Sequence, residues 1–139
     1  MPSAAYDACM EPITSPALRR LVDRAARDGE VLAVILFGSS ARGDAGPGAD
    51  IDVCLVLAPD MSSREAAARK RLEYLSESDL DLSVFQQLPL HIRSRVLKEG
   101  VVLFTRDEDA LYALAARTAR VFEHFRHIQR RYLDEVARG

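Results

Sequence analysis

The sequence predicts an α+β domain: a small mixed β-sheet backed by helices, with a long C-terminal helix. Two observations carry this. Apolar runs of strand length alternate with stretches of helical period in the order α-β-β-α-β-α-β-α. The first two strands are joined by a short glycine-rich excursion, which suits an antiparallel pair. A helix joins the second and third, which suits a parallel pair. At 139 residues, 48% hydrophobic and 29% charged, the chain has the size and composition of one globular domain.

The elements follow in order. In "TSPALRRLVDRAARDGE", Thr14 or Ser15 can cap a helix, Pro16 suits its first turn and Gly29 its stop. Leu18, Leu21, Val22 and Ala25 recur at helical spacing along it. "VLAVILF" is a continuous β-branched run between Gly29 and Gly38, read as a buried strand. "GDAGPGAD" is loop by composition, and "IDVCLVLA" is the second strand, stopped by Pro59. Ser63 to Leu75 is a charged, alanine-rich helix with a solvated surface. "DLDLSVFQQ" is the third strand, Pro89 opens a helix that Gly100 ends, and "VVLF" is a short strand or extended segment.

From about Asp107 to Ala137 a single long helix is expected, with Leu111, Leu114, Thr118, Phe122, Phe125 and Tyr132 in a three-four rhythm. Thirty residues of helix measure about 45 Å. A domain of this size has a radius of gyration of only about 14 Å. The helix therefore bends back, breaks, or extends past the core toward a partner. Residues 1–13 are expected to be a flexible leader, 14–106 the folded domain, and 107–139 a helix for packing or partner docking.

Several function classes are excluded by composition. A net charge of −2 gives no general pull toward nucleic acid or anionic membrane, and no direct nucleic-acid binding is expected. No apolar run approaches the roughly 20 residues of a membrane span. The N-terminus "MPSAAYDACMEP" is acidic and lacks the apolar centre of a signal peptide, so a cytoplasmic location is the default expectation. Cys9 and Cys54 lack the spacing of a zinc site or disulfide framework, and Cys54 reads as a small buried hydrophobe.

The chemistry lies in "FGSSARGDAGPGADIDVCLVL". A strand that ends in Gly38-Ser39 and turns into a short helix would expose backbone N–H groups to a phosphate. Ser39 adds a hydroxyl, and Arg42 lies one turn on. The stretch fits neither G-x-x-x-x-G-K-[ST] nor G-x-G-x-x-G, and taken alone it is equally a tight turn between strands. Asp50 and Asp52 stand two apart at a strand entrance, on one face and about 6.5 Å apart. Such carboxylates repel unless a cation sits between them, and hard oxygen donors suit Mg²⁺ or Mn²⁺. Two solvated acids are the plainer alternative. Asp81 in "DLDLSVF" lies on the expected neighbouring strand, with Asp79 as its rival. A third carboxylate would complete a two-metal site for phosphoryl or nucleotidyl transfer, and Asp81 could take the proton of the attacking hydroxyl.

These residues resemble the signature of the nucleotidyltransferase superfamily with the DNA polymerase beta fold: Gly-Ser, Arg-Gly, then D-x-D on the next strand and a later acid. The short chain is similar to the minimal nucleotidyltransferases, and the likeness runs from about Leu18 to Phe104. It implies that Gly38 and Ser39 hold nucleotide phosphates, that Arg42 braces the turn or touches the triphosphate, and that Asp50, Asp52 and Asp81 bind the metal. It further implies ATP as substrate and attack on its α-phosphate, with loss of pyrophosphate. Members of this layout are often antitoxins whose partner is an all-helical HEPN-type ribonuclease toxin, inactivated by transfer of AMP to a tyrosine.

Two other readings remain at this point. One is a binding module that neutralises its partner by occlusion. The other is a small-molecule nucleotidyltransferase, for which the residues after Phe104 leave little room for a substrate domain. His124 and His127 lie one turn apart without an evident third ligand and read as solvated. The six Arg and six Asp/Glu from Asp107 to Gly139 make a mixed charged face.

Overall fold

The computed structural model describes residues 15–38, 51–61, 63–75 and 80–138. Thr14, Cys9 and the expected leader lie outside them. Helix α1 (Pro16–Ala26) is capped by Ser15, whose hydroxyl accepts from the Leu18 N–H at 3.4 Å, with Pro16 at its first position. Its buried face is Leu18, Leu21, Val22 and Ala25, as the spacing predicts. Its end is not made by Gly29. The chain leaves through Arg27 in right-handed conformation, and Arg106 donates to the carbonyls of Ala25, Ala26, Asp28 and Val31 at 2.9–3.1 Å. A distant guanidinium thus reinforces the end of the helix, where the Ala25 carbonyl also accepts from the Asp28 N–H and the Asp28 carbonyl from the Val31 N–H.

Strands β1 (Val31–Leu36), β2 (Ile51–Leu57), β3 (Leu80–Val84) and β4 (Val101–Thr105) form one sheet in the order β3-β2-β1-β4. β1 is antiparallel to β2 and β4, and β2 is parallel to β3. The sheet is mixed, with the strand directions that the two connections imply. Helix α1 and helix α2 (Arg64–Tyr74) cover one face. Helix α3 (Leu90–Glu99) and the first turns of helix α4 (Glu108–Arg138) cover the other. Covered on both sides, β1 is buried along its whole length, which is why it reads as an unbroken apolar run. Cys54 sits among Ile35, Val56 and Phe85 in the second layer, and burial pushes its thiol far up.

Two details depart from the expected elements. The "FQQ" segment is not strand but a 3₁₀ turn, Phe85–Gln87. There the Gln86 amide accepts from the Leu57 N–H at 3.2 Å and donates to the Leu57 carbonyl at 3.1 Å, pairing the end of β2 with a side chain. Gly100 ends α3 as expected, in extended conformation. Its missing side chain matters because a Cβ there would collide with Ile35 Cγ2 and the Val96 carbonyl. The second departure is in α2, whose surface is not wholly solvated. Lys70 is buried, with its Nζ 2.7 Å from Asp28, 2.7 Å from Glu30 and 3.2 Å from Glu73. Tyr74 donates to the same Asp28 carboxylate at 2.7 Å.

This cluster has clear electrostatic signs. Burial opposes ionisation of Asp28, but hydrogen bonds from Lys70, Tyr74 and the Glu30 N–H outweigh it, and its carboxyl lies below the ordinary value. Burial likewise opposes the charge on Lys70, yet its three carboxylate partners raise it above the ordinary ammonium value. Burial raises the Tyr74 phenol, and its bond to Asp28 raises it further.

Of the three courses open to the last helix, the observed one is extension. α4 is a single helix of 31 residues. Thr118 is buried and Leu111 and Leu114 pack on the second layer, whereas Val121, Phe125, Ile128 and Tyr132 are exposed.

Candidate active site

The site grows from one end of the sheet. Along β2, Cys54 and Val56 face the layer under α3 and α4, so Asp52 points to that face as well. In the parallel β2–β3 pairing Asp52 stands directly opposite Asp81. Partners in register share a face, and neighbouring strands are about 4.8 Å apart. The two carboxylates therefore stand side by side at the starts of two strands, Asp52 half-buried and Asp81 exposed.

Gly38 meets this pair from β1. Phe37 N–H donates to the Asp52 carbonyl at 3.1 Å, which brings the end of β1 beside the start of β2. Gly38 then turns with φ +71°, the left-handed region. A Cβ built on it would lie 2.5 Å from Asp52 Oδ2 and 3.3 Å from Asp52 Cγ. The turn needs glycine twice: for its dihedral, and because the Asp52 carboxylate fills the space of a side chain.

A cleft of about 130 Å³ opens beside Gly38 on the same face, lined by Phe37, Ile92, Arg95, Val96 and Glu99. Arg95 and Glu99 pair at 3.4 Å across one turn of α3. Neither was picked out from the sequence, because an i,i+4 charge pair on a helix reads as surface. A larger cavity of about 240 Å³ lies between Leu32, Leu57 and Arg93 at the other end of the sheet. It has no carboxylate in its lining.

Ser39, Arg42 and Asp50 lie outside the described residues, as does Asp79. Among the described residues no three His, Cys, Asp or Glu side chains form a cluster that would hold a metal ion. Gly38, Asp52 and Asp81 are brought to one place. As a donor set, two adjacent carboxylates fit a hard divalent cation rather than a soft one.

The family model described as polymerase beta nucleotidyltransferase matches residues 20–109. The chain belongs to this nucleotidyltransferase family. A Methanocaldococcus jannaschii protein, named as a candidate protein adenylyltransferase, is 29% identical over 75 residues. That match covers 54% of this chain and 57% of the relative. Solved structures share the fold. A chain of a toxin–antitoxin complex with AMP-PNP superposes with a TM-score of 0.63 at 21% identity, covering 89% of this nucleotidyltransferase and 98% of that chain. A complex of tri-AMPylated Shewanella oneidensis HEPN toxin with MNT antitoxin gives 0.58 at 21% identity, covering 84% and 93%. An MntA–HepT toxin–antitoxin complex gives 0.56 at 21% identity, covering 84% and 94%. No helix of the described residues is long and apolar enough to cross a membrane.

Proposed function

We propose that this nucleotidyltransferase moves AMP from ATP to a hydroxyl of a partner protein, and that it thereby acts as antitoxin to a HEPN-type ribonuclease toxin. The observation that carries the reading is the register of Asp52 against Asp81 beneath the left-handed turn of Gly38. A turn that lets phosphates approach backbone, set against paired acids, is an arrangement for nucleoside triphosphates. The adenylyltransferase relative and the toxin–antitoxin neighbours support the choice of a protein acceptor over a small molecule.

The residues divide the work as follows. Gly38 and Ser39 hold the phosphates, and Arg42 braces the turn or touches them. Asp50, Asp52 and Asp81 would hold Mg²⁺ or Mn²⁺, which when bound supplies charge neutralisation at the phosphates and polarises the attacking oxygen. Asp81, the more exposed acid of the described pair, is open to an incoming acceptor and would take its hydroxyl proton. The hydroxyl oxygen bonds to the α-phosphorus, the bond from that phosphorus to the bridging oxygen breaks, and pyrophosphate leaves. The α3 cleft beside Gly38 gives the nucleotide an apolar wall in Phe37 and Ile92.

The test is mass spectrometry of a HEPN-type helical protein after incubation with the chain, Mg²⁺ and each nucleoside triphosphate. A gain of one or more AMP with ATP is expected. Asp52→Asn should abolish it while leaving the circular-dichroism melt unchanged. Equal transfer by Asp52→Asn would remove the mechanism.

A further inference from the structure

The direction of α4 ties its exposed half to the reaction centre. β4 begins at Val101 opposite Leu36, at the carboxylate end of the sheet, and runs toward Thr105 opposite Ala33. α4 therefore starts at the far end and runs back. At Phe122 it has reached α3's last turn, where Lys98 Nζ lies 6.0 Å from the Phe122 ring. Gly100, two residues beyond Lys98, lies so near Ile35 and the Leu36 carbonyl that a Cβ there would meet both. The sixteen residues of α4 past Phe122 thus project about 24 Å beyond the core at the end that carries Gly38, Asp52 and Asp81.

That projection keeps a seam. Leu111, Leu114 and Thr118 pack on the core in steps of three and four. The same alternation continues through Val121, Phe125, Ile128 and Tyr132, which are 50–64% exposed. A strict seven-residue repeat drifts by only about 20° per heptad on a straight helix. Over the three heptads from Leu111 to Tyr132 the seam turns by about 60°, as the half-buried Phe122 beside the exposed Val121 shows, so the exposed seam stays on the same half of the helix as the buried one. Its period is that of helix-on-helix packing by knobs into holes.

The flanks say what kind of helix fits. One carries Arg117, His124, Arg131 and Arg138 at seven-residue steps. The other carries Ala115, Phe122, Gln129 and Val136, with no acid. A second copy is a poor occupant. Antiparallel pairing would set the arginine flank against itself, and parallel pairing would place Glu135, the next seam position, against its own copy. We propose that the projecting half of α4 is a docking arm for an amphipathic helix of the acceptor protein, whose apolar seam is flanked by acidic residues. This rests on reading the site as one that transfers to a protein hydroxyl, and it says how such an acceptor is brought to that end of the sheet.

The test uses the full chain and two synthetic helices of about four heptads, with Leu and Ile on the seam and either Glu or Lys on both flanks. Fluorescence anisotropy should show the Glu helix bound, and the Lys helix bound at least about tenfold more weakly. Phe125→Glu with Ile128→Glu should weaken the Glu helix by at least about tenfold, with an unchanged melting curve, since both side chains lie off the core. Equal binding of the two helices, no binding of the Glu helix, or binding that survives the double substitution would each overturn the proposal. So would a dimer in sedimentation that the double substitution dissociates. Asp52→Asn should bind the Glu helix as tightly as the wild type. Docking and transfer can therefore fail separately.

Discussion

At the scale of single residues, Gly38 and Asp52 define one another. The carboxylate stands where a side chain of residue 38 would be, and the φ of +71° is one that L side chains rarely adopt. Gly38→Ala forces a choice between moving Asp52 and flattening the turn. We expect it to lower nucleotidyl transfer at least about a hundredfold while costing only about 1–2 kcal/mol of stability. Steady-state transfer beside urea unfolding separates the two effects, and a large stability loss with normal transfer would contradict this account. Lys70 makes the opposite point, since its charge is buried for structure. Because Asp28 titrates lower when folded, its contribution is complete above an unfolded value of about 3.9 and is lost as pH falls through the lowered one. Lys70, raised when folded, contributes fully below about pH 10.4 and loses this only as pH rises through its raised value. Lys70→Met should cost about 2 kcal/mol at neutral pH and flatten the acid limb of the stability curve below about pH 4. Parallel acid limbs for the two proteins would argue against the coupling.

At the scale of elements, the sequence was readable where one signal sufficed. Alternating or continuous apolar runs located β1, β2 and β3 and marked β4 as a strand or extended segment, and the two connection types predicted the antiparallel β1–β2 and the parallel β2–β3 pair. Asp81 opposite Asp52 follows from that pairing together with a register that no local pattern prints. What stayed hidden depended on contacts distant in sequence. Arg106 looks like a loop cation, yet it closes α1 from 80 residues away. Lys70 sits in a helix whose alanines and mixed charges show no apolar face, so nothing local marks the one lysine that turns inward. Gln86 completes β2 across 29 residues with an amide. Arg95 and Glu99 become cleft residues only when α3 packs beside Gly38. Arg106→Leu should destabilise the chain by about 1–3 kcal/mol, because its bonds to four carbonyls are lost together, although those of Ala25 and Asp28 still accept from the Asp28 and Val31 N–H groups. Amide exchange should quicken first in the last turn of α1. Uniform quickening across the sheet would assign Arg106 a different role.

At the scale of the whole molecule, stability and docking occupy different regions. Two apolar layers sandwich the sheet, and their buried members end on α4 at Thr118. Leu55→Ala, in the centre of β2, should cost about 3–4 kcal/mol in a urea titration. Tyr132→Ala, 64% exposed, should stay within about 0.5 kcal/mol of the wild type. A comparable loss from both would place the outer half of α4 in the folding unit. The continuity of α4 has a mechanical side. A straight helix rooted at one end is a lever, and a tilt of about 5° at Phe122 displaces the tip by about 2 Å over its 24 Å reach. Whatever grips the arm near Phe125 is aimed more accurately than whatever grips it near Val136. Leverage therefore grades the helix: its root sets alignment and its tip sets only capture.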